Sequence, residues 1–147
     1  MAKVVQDKWM QVSPDKLYAA IADVTKYPDF LSEVVSSTVL PGATENGFRV
    51  KFEIEVVKRF SYTLEFMLEP RNRVHWKLIE SDFFKKNDGK WELSPKNDGT
   101  QVHYELDVEF GFLVPGWISR KLTEVNLPKM FESFEGAAGR IGGKLNG

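Results

Sequence analysis

The chain carries two histidines, His75 and His103, and no cysteine. A thiolate metal site, a disulfide and a cysteine nucleophile are therefore excluded. Val74 and Trp76 flank His75, and Val102 and Tyr104 flank His103, so in extended segments both histidines face away from the apolar set. Neither has a neighbour at metal-ligand spacing, and a surface role is the favoured reading for both. Glu53 and Glu55, and Glu105, Asp107 and Glu109, also occupy alternate positions. Paired carboxylates perform acid–base chemistry when they flank a reacting bond, but these lie on the same solvated side as the histidines and read as a charged outer surface. No phosphate-cradling glycine loop, G-x-S-x-G elbow or zinc signature occurs. No catalytic residue and no metal ligand is assigned. The remaining polar candidates are Tyr62, Tyr104 and Asn126, which suit the orientation of a bound molecule.

Four stretches of alternating polarity must position those tyrosines. Phe48, Val50, Phe52, Ile54 and Val56 oppose Arg49, Lys51, Glu53 and Glu55. Phe60, Tyr62, Leu64, Phe66 and Leu68 oppose Ser61, Thr63 and Glu65; Val74, Trp76 and Leu78 oppose His75 and Lys77. Val102, Tyr104, Leu106, Val108 and Phe110 oppose Gln101, His103, Glu105, Asp107 and Glu109. One apolar face and one wet face mark antiparallel strands, since a parallel sheet covered on both sides reads as continuous apolar runs. Asn87-Asp88-Gly89 and Asn97-Asp98-Gly99 carry turn or bulge chemistry because these residues tolerate positive φ. A meander of consecutive strands is expected.

Residues 3–12 read as a first strand. Ser13, Pro14 and Asp15 suit a helix cap, a first turn and the positive end of a helix dipole, and the helix should run to about Asp23. A short second helix is expected over 26–31, with Pro28 near its start. Pro115-Gly116 opens a last helical stretch that Pro128 should break or kink near Leu127, giving two segments. In the second, Leu127, Phe131, Phe134, Ala138, Ile141 and Leu145 form one apolar stripe. A sheet with one apolar face and a helix with one apolar stripe bury each other, giving an α+β domain over 1–147.

The 147 residues, 42% of them apolar and 13% aromatic, supply a sizeable core. Twenty basic and 21 acidic side chains are dispersed, so no positive field suits nucleic acid. The N-terminus lacks the apolar core of a secretory signal, and no run approaches the roughly 18 apolar residues of a membrane span. The cytoplasm is the expected location.

The aromatic load of the inner face points to a cavity. A twisted sheet curls away from a straight helix and leaves interior space. Sheet-side ligand contacts are expected from Phe52, Ile54, Tyr62, Leu64, Phe66, Trp76, Tyr104, Leu106 and Val108, with Met130, Phe131 and Phe134 closing the space from the helix. Gly136 and Gly139 are read as leaving room or allowing close packing, whereas Gly142 and Gly143 fit a fraying tail equally well. The apolar segment Gly111-Phe112-Leu113-Val114-Pro115-Gly116-Trp117 has two readings. Phe112, Leu113 and Trp117 form either a portal lid or a loop in transient contact with a membrane, or they plug the end of the core.

Asp23-Val24-Thr25-Lys26-Tyr27-Pro28-Asp29-Phe30-Leu31 resembles the Asp-Val-x-x-Tyr-Pro-x-Phe segment of the polyketide cyclase/dehydrase and coenzyme Q-binding group in the START-like (SRPBCC) superfamily. Trp76 to Glu80, Gly89-Lys90-Trp91-Glu92-Leu93, Asp98-Gly99-Thr100-Gln101-Val102-His103-Tyr104 and Val114-Pro115-Gly116-Trp117 look like its later strands and the start of its last helix. The resemblance implies a helix-grip fold, a curved seven-stranded antiparallel sheet around a long C-terminal helix with two short helices after the first strand. Trp91 joins the candidate ligand contacts through this match, although a tryptophan packed in a sheet is more often structural. The resemblance rests on scaffold positions, so no catalytic residue carries over from it, and no cofactor is expected. The expected function is binding, with transport or presentation, of a hydrophobic small molecule such as a lipid, quinone or polycyclic compound. A cyclase/dehydrase-type enzyme and a protein-binding regulator of the ribosome-associated toxin type are the alternatives, and no protein partner is named.

Overall fold

A computed structural model describes residues 2–56 and 58–146, with side chains described for 3–56 and 58–141. The chain forms β1 (Ala2–Met10), α1 (Pro14–Ala22), α2 (Tyr27–Phe30), β2 (Val34–Val39), β3 (Gly47–Val56), β4 (Lys58–Glu69), β5 (Arg73–Ser81), β6 (Phe84–Lys96) and β7 (Gly99–Phe110). The last elements are α3 (Gly116–Arg120), a π-helical run Lys121–Asn126 and α4 (Leu127–Asn146). All strands join one antiparallel sheet in the order β1-β7-β6-β5-β4-β3-β2. Strands β2 to β7 form the expected meander, and β1 returns to pair with β7.

The expected faces hold because the register brings like to like. Phe52 lies opposite Tyr62, Phe66 opposite Trp76, and Trp91 opposite Tyr104, all on the inner side. Ser13 caps α1, its Oγ accepting the Lys16 N–H at 3.3 Å, and Pro14 occupies the first turn. The Tyr27 hydroxyl donates to the Ile21 carbonyl and ties the two short helices together. Asn97 and Asp98 adopt φ of 49° and 62° in the tight β6–β7 turn, as their types allow. Leu127, Phe131, Phe134 and Ala138 of the helical stripe are buried against the inner side of the fold. The expectations for Leu145, Gly142 and Gly143 fall outside the residues whose side chains are described.

Three expectations are corrected. Asn87-Asp88-Gly89 is no turn: it lies inside β6, where the β5–β6 ladder ends at the Trp76–Gly89 pair. Beyond that pair the side chains take over, with Asp88 Oδ1 accepting the Leu78 N–H at 3.2 Å and Trp76 Nε1 donating to Asn87 Oδ1 at 3.1 Å. Pro128 does not break the last helix, since helical residues continue from Gly116 to Asn146 through the π-helical run. Proline has no N–H to donate four residues back, and the wider turn before it accommodates that loss. Gly136 and Gly139 neither leave room inside nor allow close packing, for both are exposed. A Cβ on Gly139 would meet nothing within 4 Å, and one on Gly136 only Arg140 Nη1 at 3.5 Å.

Candidate ligand-binding site

Between the inner sheet face, the α2–β2 connection and the C-terminal helix lies a cavity of about 180 Å³. Strands β3, β4, β5 and β7 contribute Phe52, Ile54, Tyr62, Leu64, Phe66, Trp76, Tyr104, Leu106 and Val108 to its wall, and β6 contributes Trp91. Met130 and Phe134 close it from α4. Phe131 is the one candidate contact absent from the wall. It is buried behind it, with its ring 5.6 Å from Trp91 and 5.1 Å from Tyr104 between centroids. The wall is stiffened by ring pairs, with Tyr27 stacked on Phe52 at 5.7 Å, Phe66 on Trp76 at 5.8 Å, and Trp91 edge-on to Tyr104 at 4.9 Å.

Few polar groups reach this space. Burial drives the Tyr62 and Tyr104 hydroxyls well above the ordinary tyrosine range, and the nearby Glu33 carboxylate adds to the effect at Tyr62. Both stay neutral and available as donors. Tyr27 is raised by the same desolvation, but its hydroxyl already bonds Ile21. Glu33 is the only charged side chain lining the cavity among the described residues. Asn126 does not line it; the π-helical run turns it into an adjoining open groove with Lys121 and Lys129. Among the described residues, no three His, Asp or Glu side chains gather as metal ligands.

Sequence reasoning missed Asn87, Glu33, Tyr27 and Thr123 in the wall. Asn87 had a usable signal: Asn87, Gly89, Trp91 and Leu93 alternate with Asp88, Lys90 and Glu92 as in a strand with a polar inward residue. Glu33 and Tyr27 sit in or after the short helices, where no periodicity marks a face. The loop after β7 carries its large apolar side chains on the surface. Phe112 and Leu113 are 84% and 83% exposed and Trp117 is 50% exposed, so they do not plug the core. Lys85 Nζ stands 6.0 Å over the Phe112 ring.

Both histidines lie on the outer side of the sheet, as expected. His103 is held between β1 and its own strand, with Nδ1 2.7 Å from Asp7 Oδ1 and Nε2 2.7 Å from Glu105 Oε2. The Glu105 and Asp7 hydrogen bonds raise its pKa above the ordinary 6.5. A raised folded-state pKa means that stabilisation is complete below the ordinary histidine range and is lost as pH rises through the raised value. Thermal melts from about pH 5 to about pH 9 are expected to show wild-type stability falling across that window relative to His103→Gln. Parallel profiles would contradict the clamp.

A one-sided antiparallel sheet wrapped against a long C-terminal helix, with an aromatic-lined space between them, defines a START-like fold. The chain belongs to the polyketide cyclase/dehydrase and lipid transport family, whose model matches residues 10–135. It is similar in structure to the Zhui aromatase/cyclase from Streptomyces sp. R1128, at 16% identity and a TM-score of 0.82 over 95% of this chain and 94% of that one. A START superfamily protein from Mycobacterium smegmatis aligns at 19% identity and a TM-score of 0.80, covering 95% and 98% of the two chains. A STAR-related lipid transfer protein from Xanthomonas axonopodis aligns at 14% identity and 0.76, covering 92% and 85%. At these identities the likenesses establish the fold. No helix among the described residues is long and apolar enough to cross a membrane.

Proposed function

We propose that the protein binds and carries an apolar small molecule in the cavity between sheet and helix. The observation that carries this reading is an apolar space of about 180 Å³ left unfilled amid buried aromatic side chains. A ligand that displaces water from an apolar space buries that lining, gains dispersion contacts with it and, by binding the folded state alone, stabilises it. The exposed side chains of Phe112, Leu113 and Trp117, on the loop that follows cavity-lining Phe110, support transient membrane contact during loading. The cyclase/dehydrase alternative draws on Tyr62 and Tyr104, but burial keeps both neutral, so neither is a base near neutral pH. Native mass spectrometry of the purified protein and calorimetric titration with naphthalene test the reading. One molecule bound per chain, together with co-sedimentation on naphthalene-loaded vesicles, is the expected result. A protein that takes up no apolar probe and carries no small molecule would refute it.

A further inference from the structure

We propose that the cavity selects a compact one- or two-ring aromatic molecule bearing a hydrogen-bond-accepting oxygen, and that the Asn87 amide reads that oxygen. This inference rests on the cavity-binding function proposed above and narrows its ligand class.

Size sets the first limit. An apolar cavity of about 150 Å³ accommodates benzene, and this one measures about 180 Å³. A single or fused pair of rings fits within it; an extended acyl chain or a four-ring system would have to project through its mouth or displace the wall.

Asn87 sets the second. It is 8% exposed and sits on the cavity wall. Trp76 Nε1 can only donate, so the amide atom 3.1 Å from it must be the accepting oxygen. The amide's orientation is thereby determined: its oxygen is taken by the indole, and its NH2 group, on a residue that lines the cavity, has no hydrogen bond to a described residue. The indole lies against Gly89, where a Cβ would come within 2.4 Å of Trp76 Cζ2.

An NH2 on an apolar wall would lose its contact with water when a ligand fills the space, and a ligand oxygen that accepts from it avoids that cost. The Tyr62 and Tyr104 hydroxyls add donors to the same wall, while no lysine, arginine or histidine lines it among the described residues. The site therefore favours a neutral acceptor such as a ketone or ester carbonyl. A carboxylate has no cation to meet there and would face Glu33.

The test uses a shape-matched pair, acetophenone and α-methylstyrene, which differ by C=O against C=CH2, titrated into the full chain by calorimetry. Wild type is expected to bind acetophenone about fivefold more tightly, the range of one buried hydrogen bond. Asn87→Leu is expected to abolish the preference by weakening acetophenone alone. Asn87→Asp keeps an oxygen for Trp76 but removes the donor, and it should bind acetophenone no better than α-methylstyrene. If wild type binds both equally, or if both variants keep the preference, the inference is overturned while cavity binding stands. If neither probe binds wild type, the cavity-binding reading falls with it.

Discussion

Phe134→Ala is expected to destabilise the fold by about 3–5 kcal/mol, the range for truncating a fully buried phenylalanine. Phe134 is 2% exposed, and its ring meets Tyr27 at 5.3 Å, Phe30 at 5.1 Å and Trp91 at 5.1 Å between centroids. One side chain of α4 thus joins the short helix α2 to the sheet. Removing it deletes edge-to-face contacts on both sides, and the stacked Tyr27–Phe52 pair limits how far the wall can collapse into the gap. The void would open beside the cavity, so the variant should also accept larger ring systems than wild type. Denaturant unfolding measures the first effect and titration with a three-ring aromatic the second. A loss below about 1 kcal/mol would mean that α4 is not seated on the sheet through this residue.

Gly89→Ala is expected to cost about 3 kcal/mol, at the upper end of the usual overpacking penalty. The added Cβ would lie 2.4 Å from Trp76 Cζ2 and 2.6 Å from the Glu105 carbonyl oxygen. Relief by backbone movement is blocked on both sides, because Gly89 pairs with Trp76 across one ladder and Leu106 across the other. The indole would have to turn, and its bond to Asn87 would break. Denaturant unfolding combined with tryptophan emission checks this, with a red shift accompanying the lost stability. An unchanged midpoint and spectrum would show that the indole does not lie against Gly89.

These two positions show how differently the sequence and the fold speak. Phe134 was legible as part of a stripe at spacings of three and four, and burial of that stripe needed only a partner surface. The inner faces of β3, β4, β5 and β7 were equally legible, because strand periodicity assigns each side chain to a face before any pairing is known. Gly89 was not. In one dimension Asn-Asp-Gly is turn chemistry, and only the neighbouring strands hold it extended. At Pro128 the chain keeps its helical course, and the irregularity expected near Leu127 takes the form of the π-helical run in the preceding turns.

The candidate site divides along this line. Periodicity placed Phe52, Tyr62, Trp76, Tyr104 and Phe134 on surfaces facing a common interior, but Phe131 shares their pattern and lies behind the wall. Whether an inward residue touches open space or another side chain depends on sheet curvature and helix placement, which arise from contacts distant in sequence.

Local patterning along the chain therefore settles the antiparallel sheet with its apolar face, the capped helix after β1 and the long C-terminal helix, because hydrophobic period and capping are properties of neighbouring residues. The cavity's volume, the inward amide of Asn87, the approach of Glu33 to Tyr62 and the exposure of Phe112 and Leu113 come from the tertiary structure alone. Each depends on side chains brought together from separate strands and helices, where a one-residue change of register would exchange wall for surface.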